Sequence, residues 1–329
     1  MTLTPTEQLL IDLLNIPSES GHEETIIDTL ERILREDFRI QRIPVDDRRS
    51  ALLCTHGERL DSLLIAHVDT VTGQQEVNVD KKNIYGRGSC DNKGAAAAMI
   101  CAARTALKEN VSNFGLLFTI GEETTFDGAR AAEQFLNLHA LQPKQIIIGE
   151  PTDLEIINAQ HGIFCIEVSC KGTREHSSIS HPDSAIHKLV HVLHHVLSAP
   201  FANTTFHIGK IQGGVAENIV ANSASAVLVF RSAQPTIENL VRTVLNQTRI
   251  EYAIKVLKNI PPCDHSTSPA DRRRVAYFTE MAFFPNSFVL GPGSIADAHS
   301  LDEKVAREQL REATEIYVQL LKSGLTVAT

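Results

Sequence analysis

The chain has 329 residues, of which 43% are hydrophobic and 22% charged, so it can bury a sizeable core and is not expected to be disordered or fibrous. Forty acidic residues against 31 lysines and arginines give a formal net charge of −9, which argues against nucleic acid or an anionic membrane as partner. None of the six cysteines forms a Cys-x-x-Cys pair, which excludes a zinc ribbon, and six in 329 residues are too sparse for a disulfide scaffold. The sequence has neither a secretory signal pattern nor a membrane-spanning apolar run, so we expect a soluble, cytoplasmic protein.

The first part of the chain alternates helices with short apolar strands. Residues 5–36 have helical periodicity, which the segment Pro-Ser-Glu-Ser-Gly at 17–21 divides into two helices. Two more helices are predicted, an alanine-rich one at 95–107 and one near 128–138. Three runs are continuously apolar, as strands buried on both faces are: 63–66, 114–120 and 145–148. This alternation predicts an α/β layer architecture.

The pattern changes after about residue 160. The predicted elements there follow the order β-α-β-β-α-β, at 163–168, 184–197, 204–211, 224–230, 236–247 and 252–257. That order is typical of the compact split βαβ arrangement. Beyond residue 262 the sequence again has the α/β pattern. We therefore predict a discontinuous catalytic domain at 1–160 and 263–329, with a smaller α+β domain inserted at 161–262.

Acidic and imidazole side chains follow the predicted strands of the first domain directly. They are His67 and Asp69 after the strand at 63–66, Asp91 before the alanine-rich helix, Glu122 and Glu123 after the strand that ends at 120, and Glu150 after the strand at 145–148. Ligands of open α/β sheets gather outside the carboxyl ends of the strands, and carboxylates that converge there need neutralising. Two divalent metal ions would do so, and a His and carboxylate set without thiolate suits zinc, cobalt or manganese.

Each of these features alone has a purely structural explanation. A His-x-Asp pair after a buried strand is more often structural than ligating, and Glu-Glu after a strand usually lies in a solvated loop or at a helix N-terminus. The glycine-rich stretch at 86–94 lacks both the phosphate-loop signature and the third glycine of the dinucleotide-binding one, which rejects a phosphate-loop enzyme. The joint pattern, repeated at successive strand ends, is what indicates a metal site.

Five segments that occur in order give the chain a resemblance to a known family. They are His67-Val-Asp69, Gly86-Arg-Gly-Ser-Cys-Asp91-Asn-Lys-Gly94, Gly121-Glu-Glu123, Gly149-Glu-Pro-Thr152 and Gly291-Pro-Gly-Ser-Ile-Ala-Asp-Ala-His299. With these segments the chain resembles the M20 metallopeptidase/deacylase family from residue 5 to about residue 320. The resemblance implies a mixed-sheet, aminopeptidase-like metallohydrolase domain of the α/β class, with an inserted ferredoxin-like dimerisation domain.

The resemblance also implies a role for each residue of the site. It assigns His67 and Glu150 to one metal ion, Glu123 and His299 to the other, and Asp91 to the bridge between them. Asp69 would orient the imidazole of His67. Glu122 would be the general base that deprotonates a metal-bridging water, giving the attacking hydroxide, and later protonates the leaving amine. The expected cofactors are two divalent ions, Zn²⁺ by preference and Co²⁺ as the alternative.

Three residues of the inserted domain also match the family. His176 corresponds to the histidine that is supplied across a dimer interface to stabilise the oxyanion, although Glu175 precedes it where glycine is common. Asn218 lies in a Gly-Gly-x-Ala-x-Asn segment and is a candidate for substrate contact. Arg231 suits a bidentate carboxylate clamp, and its alternative is a surface arginine at a strand end. A homodimer is therefore expected.

The resemblance favours a hydrolase that removes the acyl group from an N-acylated amino acid. Within the family, the segments at 149–152 and 291–299 look most like acetylornithine deacetylase and its relatives. The alternatives are a dipeptidase or carboxypeptidase of the same family and a succinyl-diaminopimelate desuccinylase, whose Thr-Ser-Gly-Gly-Thr-Ser-Asp type of segment is missing here. A non-catalytic metal-binding scaffold is disfavoured because Glu122 and all the expected ligands are present.

Overall fold

A computed structural model describes residues 2–179, 182–268 and 270–323. The chain divides into two compact units. The first contains the chain up to Asn158, His265–Arg273, and the chain from Thr279 onward, and the second contains Ala159–Asp264 and Arg274–Phe278. No helix among the described residues is both long and apolar enough to cross a lipid bilayer.

The described residues form seven α-helices and sixteen β-strands. The helices are α1 (Pro5–Leu14), α2 (Glu24–Leu34), α3 (Lys93–Lys108), α4 (Asp127–Leu138), α5 (Ala185–Ser198), α6 (Ile237–Gln247) and α7 (Arg307–Ser323). The strands are β1 (Arg39–Pro44), β2 (Ser50–His56), β3 (Ser62–His67), β4 (Asn78–Val79), β5 (Asn83–Tyr85), β6 (Phe114–Thr119), β7 (Gln145–Ile148), β8 (Ala159–Gln160), β9 (Gly162–Lys171), β10 (Thr204–Gly213), β11 (Ser223–Ser232), β12 (Ala253–Ile260), β13 (Cys263–Asp264), β14 (Arg274–Val275), β15 (Ser287–Val289) and β16 (Lys304–Ala306).

The main sheet of the first unit has the strand order β1-β2-β6-β3-β7-β15. The strands β6, β3, β7 and β15 run parallel, whereas β1 and β2 are antiparallel additions at one edge. Every residue of β3, β6 and β7 is buried, as the continuous apolar runs predict for parallel strands covered on both faces. Because the four parallel strands share one direction, the segments that follow them emerge at the same edge of the sheet.

Helix α3 packs against α1 and α7 in this unit. Its alanines at 95–98 are fully buried, since small side chains let neighbouring helices approach closely. Helix α1 begins with a capping box between Thr4 and Glu7. The buried carboxylate of Glu7 also accepts two hydrogen bonds of 2.9 Å from Arg307, at the start of α7. This ion pair ties the first helix of the chain to the last one.

The second unit is built from β9, α5, β10, β11, α6 and β12, in the predicted β-α-β-β-α-β order. Its antiparallel sheet has the strand order β10-β11-β9-β12, which is ferredoxin-like. Burial alternates along β11 because one face of the sheet packs on the two helices. Three short segments that the sequence places in the first domain, Ala159–Gln160, Cys263–Asp264 and Arg274–Phe278, belong to this unit, where β13 and β14 both pair with β8.

Candidate metal centre

The parallel strands deliver the predicted site residues to one edge of the main sheet. His67 is the last residue of β3, Glu122 and Glu123 follow β6, and Glu150 follows β7. Gly121 makes the turn after β6 with a φ of +69°, and a Cβ at this position would lie 2.2 Å from Oδ1 of Asp127. Glycine is therefore required where the chain turns to present the two glutamates.

His67, Asp91 and Glu150 form one cluster of possible metal ligands, the His67 triad. Their ligand atoms lie within 4.8 Å of one another, and all three residues are buried. Nε2 of His67 is 2.9 Å from Oδ1 of Asp91 and 4.0 Å from Oε1 of Glu150. These are three of the residues that the resemblance places around the first metal ion.

Asp91, Glu123 and His299 form a second cluster, the His299 triad. Nε2 of His299 is 2.9 Å from Oε1 of Glu123 and 3.3 Å from Oδ2 of Asp91. Half of the His299 side chain is exposed, so this triad is more open to solvent than the other. Asp91 points one carboxylate oxygen at each histidine, which is the arrangement that a bridging ligand requires.

The hydrogen bonds of the His67 triad suit a bound cation. Nδ1 of His67 lies 3.1 Å from the backbone carbonyl of Asp69, which can only accept, so the proton is on Nδ1. In the neutral imidazole the lone pair of Nε2 then faces the carboxylates of Asp91 and Glu150. Oε1 of Glu150 is buried and has no hydrogen-bond partner among the described residues. A divalent ion between these atoms would satisfy all three, and imidazole with carboxylate is a suitable donor set for zinc, cobalt or manganese.

The charges around Asp91 perturb the acid–base chemistry of both histidines. Hydrogen bonds that the ring of His299 donates to the carboxylates of Asp91 and Glu123 raise the pKa of His299 to about 10. Burial alone would lower the pKa of His67, but the carboxylates of Asp69 and Asp91 outweigh it and raise that pKa well above its usual range. A metal ion binds only a neutral imidazole, so metal binding at either histidine would release a proton.

Asp69 positions Glu122 and Glu123 in addition to His67. Its carboxylate accepts the backbone N–H groups of Glu122 at 3.1 Å and Glu123 at 3.2 Å, and the hydroxyl of Ser20 at 2.7 Å. Its Oδ1 is 3.6 Å from Nδ1 of His67, farther than its own backbone carbonyl. The sequence predicts only the orientation of His67, and the structure shows that the carboxylate mainly holds the turn that follows β6.

Glu122 lies beside the triads without belonging to either of them. The residue is buried, and this burial raises the pKa of its carboxyl well above the usual range. A carboxyl group that stands next to two metal-ligand clusters and is not itself committed to them is available to accept and return a proton.

Glu280 is a further acidic residue near the site that the sequence analysis missed. It is fully buried, its Oε2 accepts a hydrogen bond of 2.9 Å from the hydroxyl of Thr119, and its Oε1 has no hydrogen-bond partner among the described residues. Burial raises its pKa to about 7, and the charge of His67 opposes the shift. Nothing in the surrounding Phe-Thr-Glu-Met sequence has metal-ligand spacing, so no pattern identified it.

The sequence predicts three site residues in the second unit, His176, Asn218 and Arg231, and each of them is exposed or half-buried. His176 and Asn218 are exposed and near each other, because the backbone N–H of Ser177 donates to the carbonyl of Asn218 at 3.1 Å. Nδ1 of His176 accepts from the backbone N–H of Ser178 at 3.2 Å, so the neutral imidazole carries its proton on the exposed Nε2. Arg231 is half-buried in β11, opposite Thr205 and Ile163.

Parallel strands that gather histidine and carboxylate triads at one sheet edge, beside an uncommitted carboxyl group, define a metallohydrolase. The chain belongs to peptidase family M20/M25/M40, whose family model matches residues 63–323, and it is a metallopeptidase of that family. A probable carboxypeptidase of Aspergillus flavus is 29% identical over 358 aligned residues, which cover 97% of this chain and 82% of the relative.

Two solved structures share the fold. A tripeptidase from Staphylococcus aureus superimposes with a TM-score of 0.81 at 20% identity, covering 97% of this chain and 98% of that one. An M20 family metallo-carboxypeptidase from Sulfolobus solfataricus superimposes with a TM-score of 0.75 at 16% identity, covering 97% and 99%. The family and the mixed α/β metallohydrolase fold predicted from the sequence are thereby confirmed.

Proposed function

We propose that this protein is a two-metal carboxypeptidase that hydrolyses the last peptide bond of short peptides and releases the C-terminal amino acid. The observation that carries the proposal is the pair of triads that share Asp91, with the carboxyl of Glu122 beside them and outside both. The names of the relatives support a peptidase rather than a deacylase, since the A. flavus protein and the S. solfataricus protein are both called carboxypeptidases.

His67, Glu150, Glu123 and His299 would hold the two ions, with Asp91 between them. When bound, such ions polarise the scissile carbonyl and lower the pKa of a water molecule. Glu122 accepts the proton of the attacking water and delivers it to the amide nitrogen as the C–N bond breaks. Asp69 keeps Glu122 in place through the backbone N–H bond.

Three residues of the second unit complete the proposal through the family resemblance. Arg231 binds the free carboxylate of the substrate, for which a guanidinium provides a bidentate partner. His176, with its proton on Nε2, donates to the oxyanion of the tetrahedral intermediate. Asn218, whose backbone carbonyl accepts from the N–H of Ser177 next to His176, contacts the substrate beside it.

A set of matched substrates tests this specificity. An N-blocked dipeptide with a free C-terminal carboxylate should be cleaved about 10–100-fold faster than the same dipeptide with a C-terminal amide, because a charge-assisted bond is lost in the amide. Arg231→Met should abolish that preference, whereas Arg242→Met, at another arginine of the same unit, should preserve it. Equal rates for the acid and the amide in the wild-type protein would contradict the carboxypeptidase proposal.

Deacylation of an N-acylated amino acid is the second candidate. It is favoured by the segments at 149–152 and 291–299, which resemble those of acetylornithine deacetylase. The amino acid released from N-acetylornithine also carries a free α-carboxylate, so the same residues could bind and hydrolyse this substrate. Cleavage of N-acetylornithine with a higher kcat/KM than that of any dipeptide would make deacylation the main activity.

We expect the enzyme to act as a homodimer in which His176 serves the site of the partner subunit. Strand β10 forms one edge of the four-stranded sheet, and an edge strand can pair with a second copy about a two-fold axis. Mixing inactive His176→Ala with inactive Glu122→Ala subunits should restore about a quarter of the wild-type activity after random exchange. Subunit exchange without any recovery would show that each chain uses its own His176.

A further inference from the structure

The segment that carries Asp91 is held in place by a glutamate from a distant part of the sequence. Glu303 is fully buried, just before β16. Its Oε1 accepts three backbone N–H bonds, from Gly88 at 2.9 Å, Cys90 at 3.1 Å and Asp91 at 3.1 Å. One carboxylate oxygen thus fixes the backbone at and directly before the residue that is common to both triads.

The other oxygen of Glu303 extends this connection to the second histidine. Oε2 accepts a hydrogen bond of 2.6 Å from Nη1 of Arg87, whose Nη2 donates to the backbone carbonyl of Ser300 at 3.1 Å. Ser300 directly follows His299. The Arg87–Glu303 pair therefore contacts two loops, the one that supplies the shared ligand Asp91 and the one that supplies His299.

Hydrogen bonds to an ionised carboxylate are about twice as strong as those between neutral groups. Asp91 must keep one oxygen towards His67 and the other towards His299, which are 2.9 Å and 3.3 Å away. A shift of its backbone would move both oxygens at once. We propose that Glu303, oriented by Arg87, is a positioning residue that sets the bridging geometry of Asp91 and so controls the affinity of both triads for metal ions.

This inference rests on the proposed metal centre, and the test separates the two. The protein is stripped with a chelator and titrated with Co²⁺, while calorimetry reports affinity and stoichiometry and the visible d–d absorption reports ligand geometry. Wild-type protein that binds no Co²⁺ would refute the metal centre itself. Wild-type protein that binds two ions establishes the reference for the variants.

Glu303→Gln should weaken Co²⁺ binding about 10–100-fold and alter the absorption spectrum, as the loss of partners around metal ligands commonly does. The amide keeps an acceptor for the N–H groups but directs N–H groups of its own at Arg87. Glu7→Gln is the matched control, because Glu7 is also a fully buried glutamate paired with an arginine and its hydrogen-bond partners, Thr4 and Arg307, are in neither triad. It should lower the melting temperature and leave Co²⁺ affinity and spectrum unchanged.

Wild-type affinity and spectrum in folded Glu303→Gln protein would overturn the inference, and so would an equal loss of affinity in Glu7→Gln. If Glu303→Gln does not fold, Arg87→Met provides the same measurement, since it removes the orientation of Glu303 and leaves the three N–H bonds. We expect a loss of about 10-fold in Co²⁺ affinity for Arg87→Met. Unchanged affinity in that variant would refute the role of the pair.

Discussion

In the metal-free protein, Glu280→Gln should be more stable than the wild type at alkaline pH but not at acidic pH. Glu280 is fully buried, with one carboxyl oxygen bonded to Thr119 and the other without a hydrogen-bond partner among the described residues. Glutamine has nearly the same shape, can accept the same bond from Thr119, and never ionises. The difference between the two proteins therefore isolates the cost of ionising one buried carboxyl group.

The size of the effect follows from the pKa of Glu280, which burial raises from its ordinary value of 4.5 to about 7. Between these two values the unfolded chain releases the proton while the folded protein retains it, so the free energy of unfolding falls as the pH rises. Each pKa unit corresponds to about 1.4 kcal/mol, so the total is about 3 kcal/mol. The loss begins near the unfolded-state pKa and is complete above about pH 7.

Urea denaturation of chelator-treated protein at several pH values from about 5 to about 8 measures this effect. The stability of Glu280→Gln relative to the wild type should increase by about 2.5 kcal/mol over that range, because the first part of the loss lies below pH 5. Glu58→Gln, at an exposed position, is the reference for the loss of one acidic side chain. If the stability difference between Glu280→Gln and the wild type does not change with pH, the conclusion that Glu280 stays protonated in the folded protein is wrong.

The remaining predictions concern the metal ligands and the helix ion pair. Glu122→Ala should still bind two metal ions and lose about 10²–10⁴-fold in turnover. Glu123→Ala should lose one of the two ions. The opposite result would exchange the roles of base and ligand. Metal analysis and kinetics on both variants decide this. Glu7→Gln should lower the free energy of unfolding by about 3 kcal/mol, because it leaves the buried Arg307 without its charged partner, and a denaturation midpoint equal to that of the wild type would contradict this.

The positions of the site residues could be predicted because the sequence signals for them are local. A continuously apolar strand such as the one at 63–66 has to be buried, and the side chain that follows it has to lie at the sheet edge. The family resemblance then divided the ligands into two sets that share Asp91, and the structure brings both sets together. The order of elements in the inserted domain was equally visible from its periodicity.

The residues that support the site could not be predicted because their contacts join distant parts of the chain. Ser20 lies in a segment that the sequence identifies only as a helix break, yet its hydroxyl donates to Asp69. Glu280 and Glu303 are 161 and 212 residues away from Thr119 and Asp91, the residues that they contact. No spacing or periodicity connects such pairs, so only the folded chain shows them. Strands β1 and β2 were also missed: only one residue of β1 is buried, and the apolar run of β2 at 51–54 is only four residues long.

The most direct test of the two-metal peptidase is hydrolysis of an N-blocked dipeptide by chelator-treated protein as Zn²⁺ or Co²⁺ is added back in known ratios to the chain. We expect no turnover without metal and a rate that rises to its maximum when two ions are bound per chain. Full activity in the metal-free protein, or two bound ions without hydrolysis of any peptide or N-acyl amino acid, would contradict this account.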